Sequence, residues 1–223
     1  FKTDPDAPDV GPLPALARGH LTFGSLNRPN KISADCIALW ARVLKAVPDA
    51  RLLVGAVSEA ATAERLLAQF AAAGIGPERL DLRPRLPTRD YLALHNEIDV
   101  LLDTFPYAGG TTSNHALWMG VPTLTLAGRT LAQRLGAGIM GKVGLSDWVA
   151  ESEDEFVAIA RRAAANPDEL AALRRCLRER LMHSPNLSTA RVADSVALAF
   201  RLMWRGWCAG QAPAPIILPR FDE

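Results

Sequence analysis

Lys31 and the run Gly109-Gly110-Thr111-Thr112 carry the side chains and spacing that suit an anion. Two adjacent glycines let the backbone approach a ligand closely. Two threonines at a helix start can cap it, and the free amides and dipole of that helix end attract negative charge. Lys31 adds a full positive charge just before another helix start. The bland alternatives are a plain glycine turn with a threonine cap, and a solvated lysine. Facing each other across one cleft, the two features could share a diphosphate. Helix-terminus donors contribute about 0.3–2 kcal/mol, and charged hydrogen bonds about 1.5–3 kcal/mol each. Phosphate contacts alone fall short of the roughly 8.2 kcal/mol of micromolar binding. A nucleoside site is therefore wanted, and Arg85, Leu86 and Tyr91 are placed to form one. His115, three residues after Thr112, either faces the cleft and bonds a ribose hydroxyl or stands on a helix surface. Asp103 with Tyr107 could suggest acid–base work, although Asp at a strand end is often a turn residue.

Other chemistries lack their signatures. No Gly-Lys-Ser/Thr follows the glycines, and no GxGxxG is present. The one Asp-x-Asp, Asp4-Pro5-Asp6, lies in a polar segment. His20, His95, His115 and His183 have no metal-ligand spacing, so no metal is expected. Cys36, Cys176 and Cys208 are widely spaced without a CxxC, which fits a reducing compartment and a cytoplasmic location.

The elements that must position these residues alternate. Apolar strands are expected at Leu21–Leu26, Arg51–Gly55, Arg79–Arg83, Ile98–Asp103 and Thr123–Ala127, with helices between them. Ser33 caps the first helix, whose stripe is Cys36, Leu39, Trp40, Val43, Leu44 and Val47. This order implies right-handed crossovers and an α/β fold with a Rossmann-like parallel sheet. Such sheets bind ligands beyond the carboxyl ends of their strands. Four unusual segments follow strands: 25–31, 83–87, 103–115 and 126–130. The last third is helical. Ser152 and Glu155 form an expected capping box, and Pro167 opens a second helix. The final helix puts Val192, Val196, Phe200, Met203, Trp204 and Trp207 on one face, for core packing or for docking on a missing lobe. The expected organisation is an extended lead-in over 1–20, a Rossmann-like lobe over 21–150, C-terminal helices over 151–210 and a tail over 211–223.

Composition agrees with a folded domain: 223 residues, 49% hydrophobic and 22% charged. A net charge of +1 disfavours a nucleic-acid binder, and no apolar run is long enough to span a membrane. The sequence starts at Phe1 without a Met and reads as one lobe of a longer chain.

The motifs resemble a known family. Gly24-Ser25-Leu26-Asn27 through Lys31-Ile32 is similar to one segment of it. Asp103-Thr104-Phe105-Pro106-Tyr107, with Gly109, Thr111, Thr112 and Ala116 through Pro122, resembles its most distinctive signature. Gly128, Arg129, Arg134, Ser184-Pro185 and Met203-Trp204 also match. From about Leu21 to Trp207 the chain resembles the C-terminal catalytic lobe of O-linked N-acetylglucosaminyltransferases, in a bacterial form. The resemblance implies one lobe of a GT-B glycosyltransferase holding UDP-N-acetylglucosamine. It implies inverting, metal-independent transfer to protein Ser or Thr. By position, Lys31 would neutralise the β-phosphate as UDP leaves, and Thr111 and Thr112 would hold the diphosphate. Leu86 would offer its backbone to uracil, Tyr91 would lie beside the base, and His115 would face the ribose. Asn27, Arg28, Arg85, Gly109 and Gly110 complete the implied UDP-binding set. Animal members have His at Gly110, Asp at His115, His at Tyr91 and Gln at Arg28, so the phosphate role transfers better than the nucleoside contacts. The acceptor-side lobe and helical TPR region of such an enzyme are expected outside these residues, and residues 1–223 alone are expected to be inactive. The alternatives are a non-catalytic nucleotide-sugar-binding or scaffold lobe, or a GT-B enzyme with another donor, such as a UDP-sugar epimerase.

Overall fold

A computed structural model describes residues 3–218. The expected tail therefore runs past the described residues from 219 onward, and 211–218 carry neither helix nor strand. Six strands form the sheet: β1 (Thr22–Ser25), β2 (Arg51–Val54), β3 (Leu80–Leu82), β4 (Val100–Leu102), β5 (Thr123–Leu126) and β6 (Val149–Ala150). All pair in parallel, in the order β3-β2-β1-β4-β5-β6. The register sets Phe23 between Leu52 and Val100. Runs such as Leu52-Leu53-Val54 and Val100-Leu101-Leu102 bury both faces, as a parallel sheet requires.

Nine helices accompany these strands among the described residues: α1 (Pro14–Arg18), α2 (Ala34–Ala46), α3 (Ala60–Ala72), α4 (Thr88–Leu94), α5 (Thr111–Trp118), α6 (Leu131–Lys142), α7 (Glu153–Ala165), α8 (Pro167–Met182) and α9 (Thr189–Cys208). Alternation along the strands divides the core. Leu52, Val54, Val100 and Leu102 join Trp40 and Leu44 of α2, Phe70 of α3 and Phe156 of α7. Leu53 and Leu101 turn the other way, towards Leu94, Ile98 and Ala116. The Ser33 cap forms as expected, its hydroxyl accepting from the Cys36 amide.

Several expectations are corrected. The lead-in is not extended throughout, because α1 lies within it and Leu13 is only 2% exposed. Arg174 of α8 holds the lead-in, donating to the Gly11 and Ile98 carbonyls at 2.9 and 2.8 Å. The expected run of elements omits α6, whose Gly136, Gly138 and Gly141 lower its helix propensity, and it omits the two-residue β6. The Ser152 capping box is half formed: Ser152 accepts from Glu155, but the Glu155 carboxylate accepts from Glu151. The complete box is at Thr130 and Gln133, where α6 begins. The apolar face of α9 is not core in this chain, for Phe200, Trp204 and Trp207 are 64%, 67% and 76% exposed.

Candidate functional site

A cleft of about 870 Å³ opens beyond the carboxyl ends of β1 to β4. Strand order reverses between β1 and β4, the place where open α/β sheets bind ligands. Asn27, Arg28 and Lys31 line the cleft from the β1 loop, and Arg85 and Leu86 from the β3 loop. Tyr91 comes from α4, and Gly110, Thr111, Thr112 and His115 from the start of α5. Lys31 and every residue of the implied UDP-binding set are in the lining except Gly109; Asp103 and Tyr107 are not in it. Gly109 sits behind the turn, donating from its amide to Asp103 Oδ1 at 2.7 Å.

The start of α5 differs from expectation in one respect. Thr111 and Thr112 do not cap the helix. Gly110 is the N-cap, no side chain caps the end, and the threonines are its first two helical residues. A helix's first amides have no partner within it, so α5 presents them uncapped at the cleft beside the two hydroxyls. The dipole adds positive potential there.

Lys31 ends a short 3₁₀ turn, Pro29–Lys31, in the loop that follows β1. Its ammonium donates to the Ala108 carbonyl at 3.2 Å and lies 4.3 Å from the centre of the Tyr107 ring. Partial burial lowers the Lys31 pKa, and the negative charge of Asp103 works against that.

Asp103 is a buried hub, 1% exposed. Its Oδ1 accepts from the Gly109 and Thr104 amides and, at 3.5 Å, from the Asn27 side chain. Its Oδ2 accepts from the Thr125 hydroxyl at 2.9 Å. Burial pushes its pKa up, while the amides, the hydroxyl and the Lys31 charge pull it back. Both carboxylate oxygens are thus engaged, by the loop that follows, by the β1 loop and by β5, whereas Tyr107 is exposed and lies under Lys31.

Tyr91 and His115 meet in the cleft. The Tyr91 hydroxyl is 3.2 Å from His115 Nδ1, and the rings stand edge to face at 5.4 Å. His115 therefore faces the cleft. Burial lowers its pKa and favours the neutral ring. Burial also pushes the Tyr91 phenol well up, against a hydrogen bond with Thr112. Beneath them His95 is fully buried, its Nδ1 donating to the Tyr91 and Leu92 carbonyls at 3.1 Å.

One expected segment is not in the lining. The loop 126–130 is tied back to α6, where Arg134 donates to the Gly128 carbonyl and Gln133 accepts from the Arg129 and Thr130 amides. The β2 loop takes its place, contributing Gly55, Ala56, Ser58 and Glu59. Ala56 carries a positive φ of 61°, a strained backbone for a residue with a Cβ. Nothing in the composition of that loop singles it out; only the strand order brings it to the cleft. No three His, Cys, Asp or Glu side chains gather to hold a metal ion among the described residues.

Comparisons with known proteins give the family and the fold. The model of glycosyl transferase family 41 matches residues 14–196. A tomato (Solanum lycopersicum) protein named probable UDP-N-acetylglucosamine–peptide N-acetylglucosaminyltransferase SPINDLY is 38% identical over 96% of this chain and 23% of its own length. The protein of the same description called SEC, from Arabidopsis thaliana, is 28% identical over 89% of this chain and 20% of its own. The structure of a mutant Thermobaculum terrenum O-GlcNAc transferase superposes with a TM-score of 0.84 at 36% identity, covering 95% of this chain and 40% of that one. The chain thus spans about a quarter of the length of the curated relatives it matches.

Proposed function

The chain belongs to glycosyl transferase family 41, and on that premise we propose that it is the donor-binding lobe of an enzyme that moves N-acetylglucosamine from UDP-N-acetylglucosamine to protein Ser or Thr hydroxyls. One observation carries this reading: Lys31 and the uncapped start of α5 flank one cleft at the reversal point of the sheet. The names of the SPINDLY and SEC relatives and of the Thermobaculum enzyme support the donor and the acceptor.

In this reading the acceptor hydroxyl attacks the anomeric carbon from the face opposite UDP. The bond to the β-phosphate oxygen breaks, and its electron pair stays on that oxygen. Lys31 and the α5 amides neutralise the charge that develops there, and Thr111 and Thr112 hold the diphosphate. Charge stabilisation by such preorganised donors does the work a metal would otherwise do. Asn27, Arg28, Arg85 and Leu86 line the path of the nucleoside, with Tyr91 beside the base and His115 towards the ribose. The proton of the hydroxyl passes to a base outside residues 1–223, in the N-terminal lobe of the same cytoplasmic enzyme, whose TPR region receives the protein acceptor.

A second reading keeps the reaction and changes the nucleotide. It is favoured by Tyr91 and His115, which bond each other at 3.2 Å, at the positions where this chain departs from animal members. Calorimetry on the longer protein with UDP, GDP and ADP separates the two. Preferred UDP binding, with label passing from UDP-N-acetylglucosamine to peptide, supports the first reading. Preferred GDP or ADP binding supports the second, and no binding of any of them contradicts both.

A further inference from the structure

We propose that Asp103 is a positioning residue of this site, fixing the Gly109 turn against the β1 loop and drawing the Lys31 ammonium towards that turn. The proposal rests on the nucleotide-sugar reading above. Its basis is the number of separate segments that converge on one carboxylate. Asp103 ends β4. Its Oδ1 takes the amides of Thr104 and Gly109, at 2.9 and 2.7 Å, from the loop that follows. The same oxygen takes the Asn27 side chain from the β1 loop. Its Oδ2 takes Thr125 from the neighbouring strand, β5. Two cleft-forming loops and the sheet are therefore tied at one point.

The backbone is shaped around that point. A Cβ at Gly109 would lie 2.9 Å from Oδ1 and 2.7 Å from Ser113 Oγ. A Cβ at Gly136 of α6 would run into Oδ2 and Thr125 Oγ1. Glycine stands where the chain presses on the carboxylate from two sides. An acid this deeply buried is costly to keep charged unless it is paired and hydrogen-bonded. Three N–H donors on Oδ1 meet that need locally, and Lys31 supplies the opposite charge. The consequence reaches the ligand. Lys31 rests on the Ala108 carbonyl, one residue before Gly109, so the carboxylate that fixes the turn also fixes where the ammonium waits.

Asp103→Asn keeps the shape and the Oδ1 acceptor but removes the charge. Thr125→Val releases Oδ2 while keeping the charge, and serves if the first variant does not fold. In the longer protein, the Lys31 side-chain resonance is titrated by NMR and UDP and pyrophosphate are titrated by calorimetry. Asp103→Asn should lower the Lys31 titration midpoint and weaken UDP at least tenfold. Thr125→Val should weaken UDP about threefold. An unchanged midpoint and unchanged UDP affinity in both variants, beside normal wild-type binding, overturn the positioning role and leave the donor reading intact. A lowered midpoint in a protein whose wild type binds no nucleotide supports the tie to Lys31 and overturns the donor reading.

Discussion

The Lys31 ammonium donates to the carbonyl of Ala108, 77 residues away along the chain, at 3.2 Å. That contact joins the β1 loop to the glycine turn in front of α5. A diphosphate seated at the start of α5 would meet the ammonium where it already rests, so little side-chain ordering remains to oppose binding.

Lys31→Ala should therefore weaken UDP by at least tenfold, and should lower transfer further, because charge builds up on the departing phosphate between the bound donor and the transition state. Calorimetry and initial rates on the longer protein check both. Equal affinity in wild type and variant would place the diphosphate elsewhere.

Gly136 and Gly138 are a matched pair within α6 whose replacements should have opposite signs. Alanine at an open helical glycine stabilises by roughly 0.5–1 kcal/mol, and nothing lies within 4 Å of a Cβ at Gly138. At Gly136 the Cβ would collide with Asp103 and Thr125, so overpacking should cost about 1–3 kcal/mol. Urea melts of the two variants decide, and a stabilised Gly136→Ala would show that α6 does not press on the carboxylate.

His95 should impose a pH dependence on stability. Its Nδ1–H faces two carbonyls, and Nε2 finds no partner among the described residues. Burial holds its pKa down at about 3, from an ordinary 6.5. The folded ring thus stays neutral while the unfolded ring takes a proton below about pH 6.5. Its contribution is complete above that pH and is lost as pH falls towards 3, at about 1.4 kcal/mol per pH unit. Between pH 7 and 5, wild type should lose about 2 kcal/mol more than His95→Gln, measured by urea unfolding. Parallel losses would mean that His95 titrates normally.

The exposed face of α9 contributes little to the stability of this chain. Phe200→Ser and Trp204→Ser, at residues 64% and 67% exposed, should shift unfolding of residues 1–223 by less than about 0.5 kcal/mol. A loss of about 3 kcal/mol or more would show these side chains buried in solution.

Much of the fold could be read from the sequence because its signals are local. The buried runs at Leu52-Leu53-Val54 and Val100-Leu101-Leu102, the Ser33 cap and the stripe of α2 each stand in a few consecutive residues. The α5 side of the cleft shares that property, since Gly109 through Thr112 is one short run. Signals that depend on the assembled sheet stayed hidden. Ser58 and Glu59 reach the cleft only because β2 lies beside β1. The meaning of Asp103 needs Thr125 and Asn27, residues 22 and 76 positions away. Helix α6 is masked by its own glycines, one of which, Gly136, has no room for a Cβ beside Asp103. The face of α9 carries the periodicity of a core helix, and periodicity alone does not say what covers it.

The most direct measurement of the central claim is a crystal structure of the longer protein soaked with UDP. The account predicts the diphosphate between Lys31 Nζ and the Thr111 and Thr112 amides, with the base along Arg85 and Leu86. UDP bound outside this cleft, or a cleft left empty at saturating UDP, would contradict it.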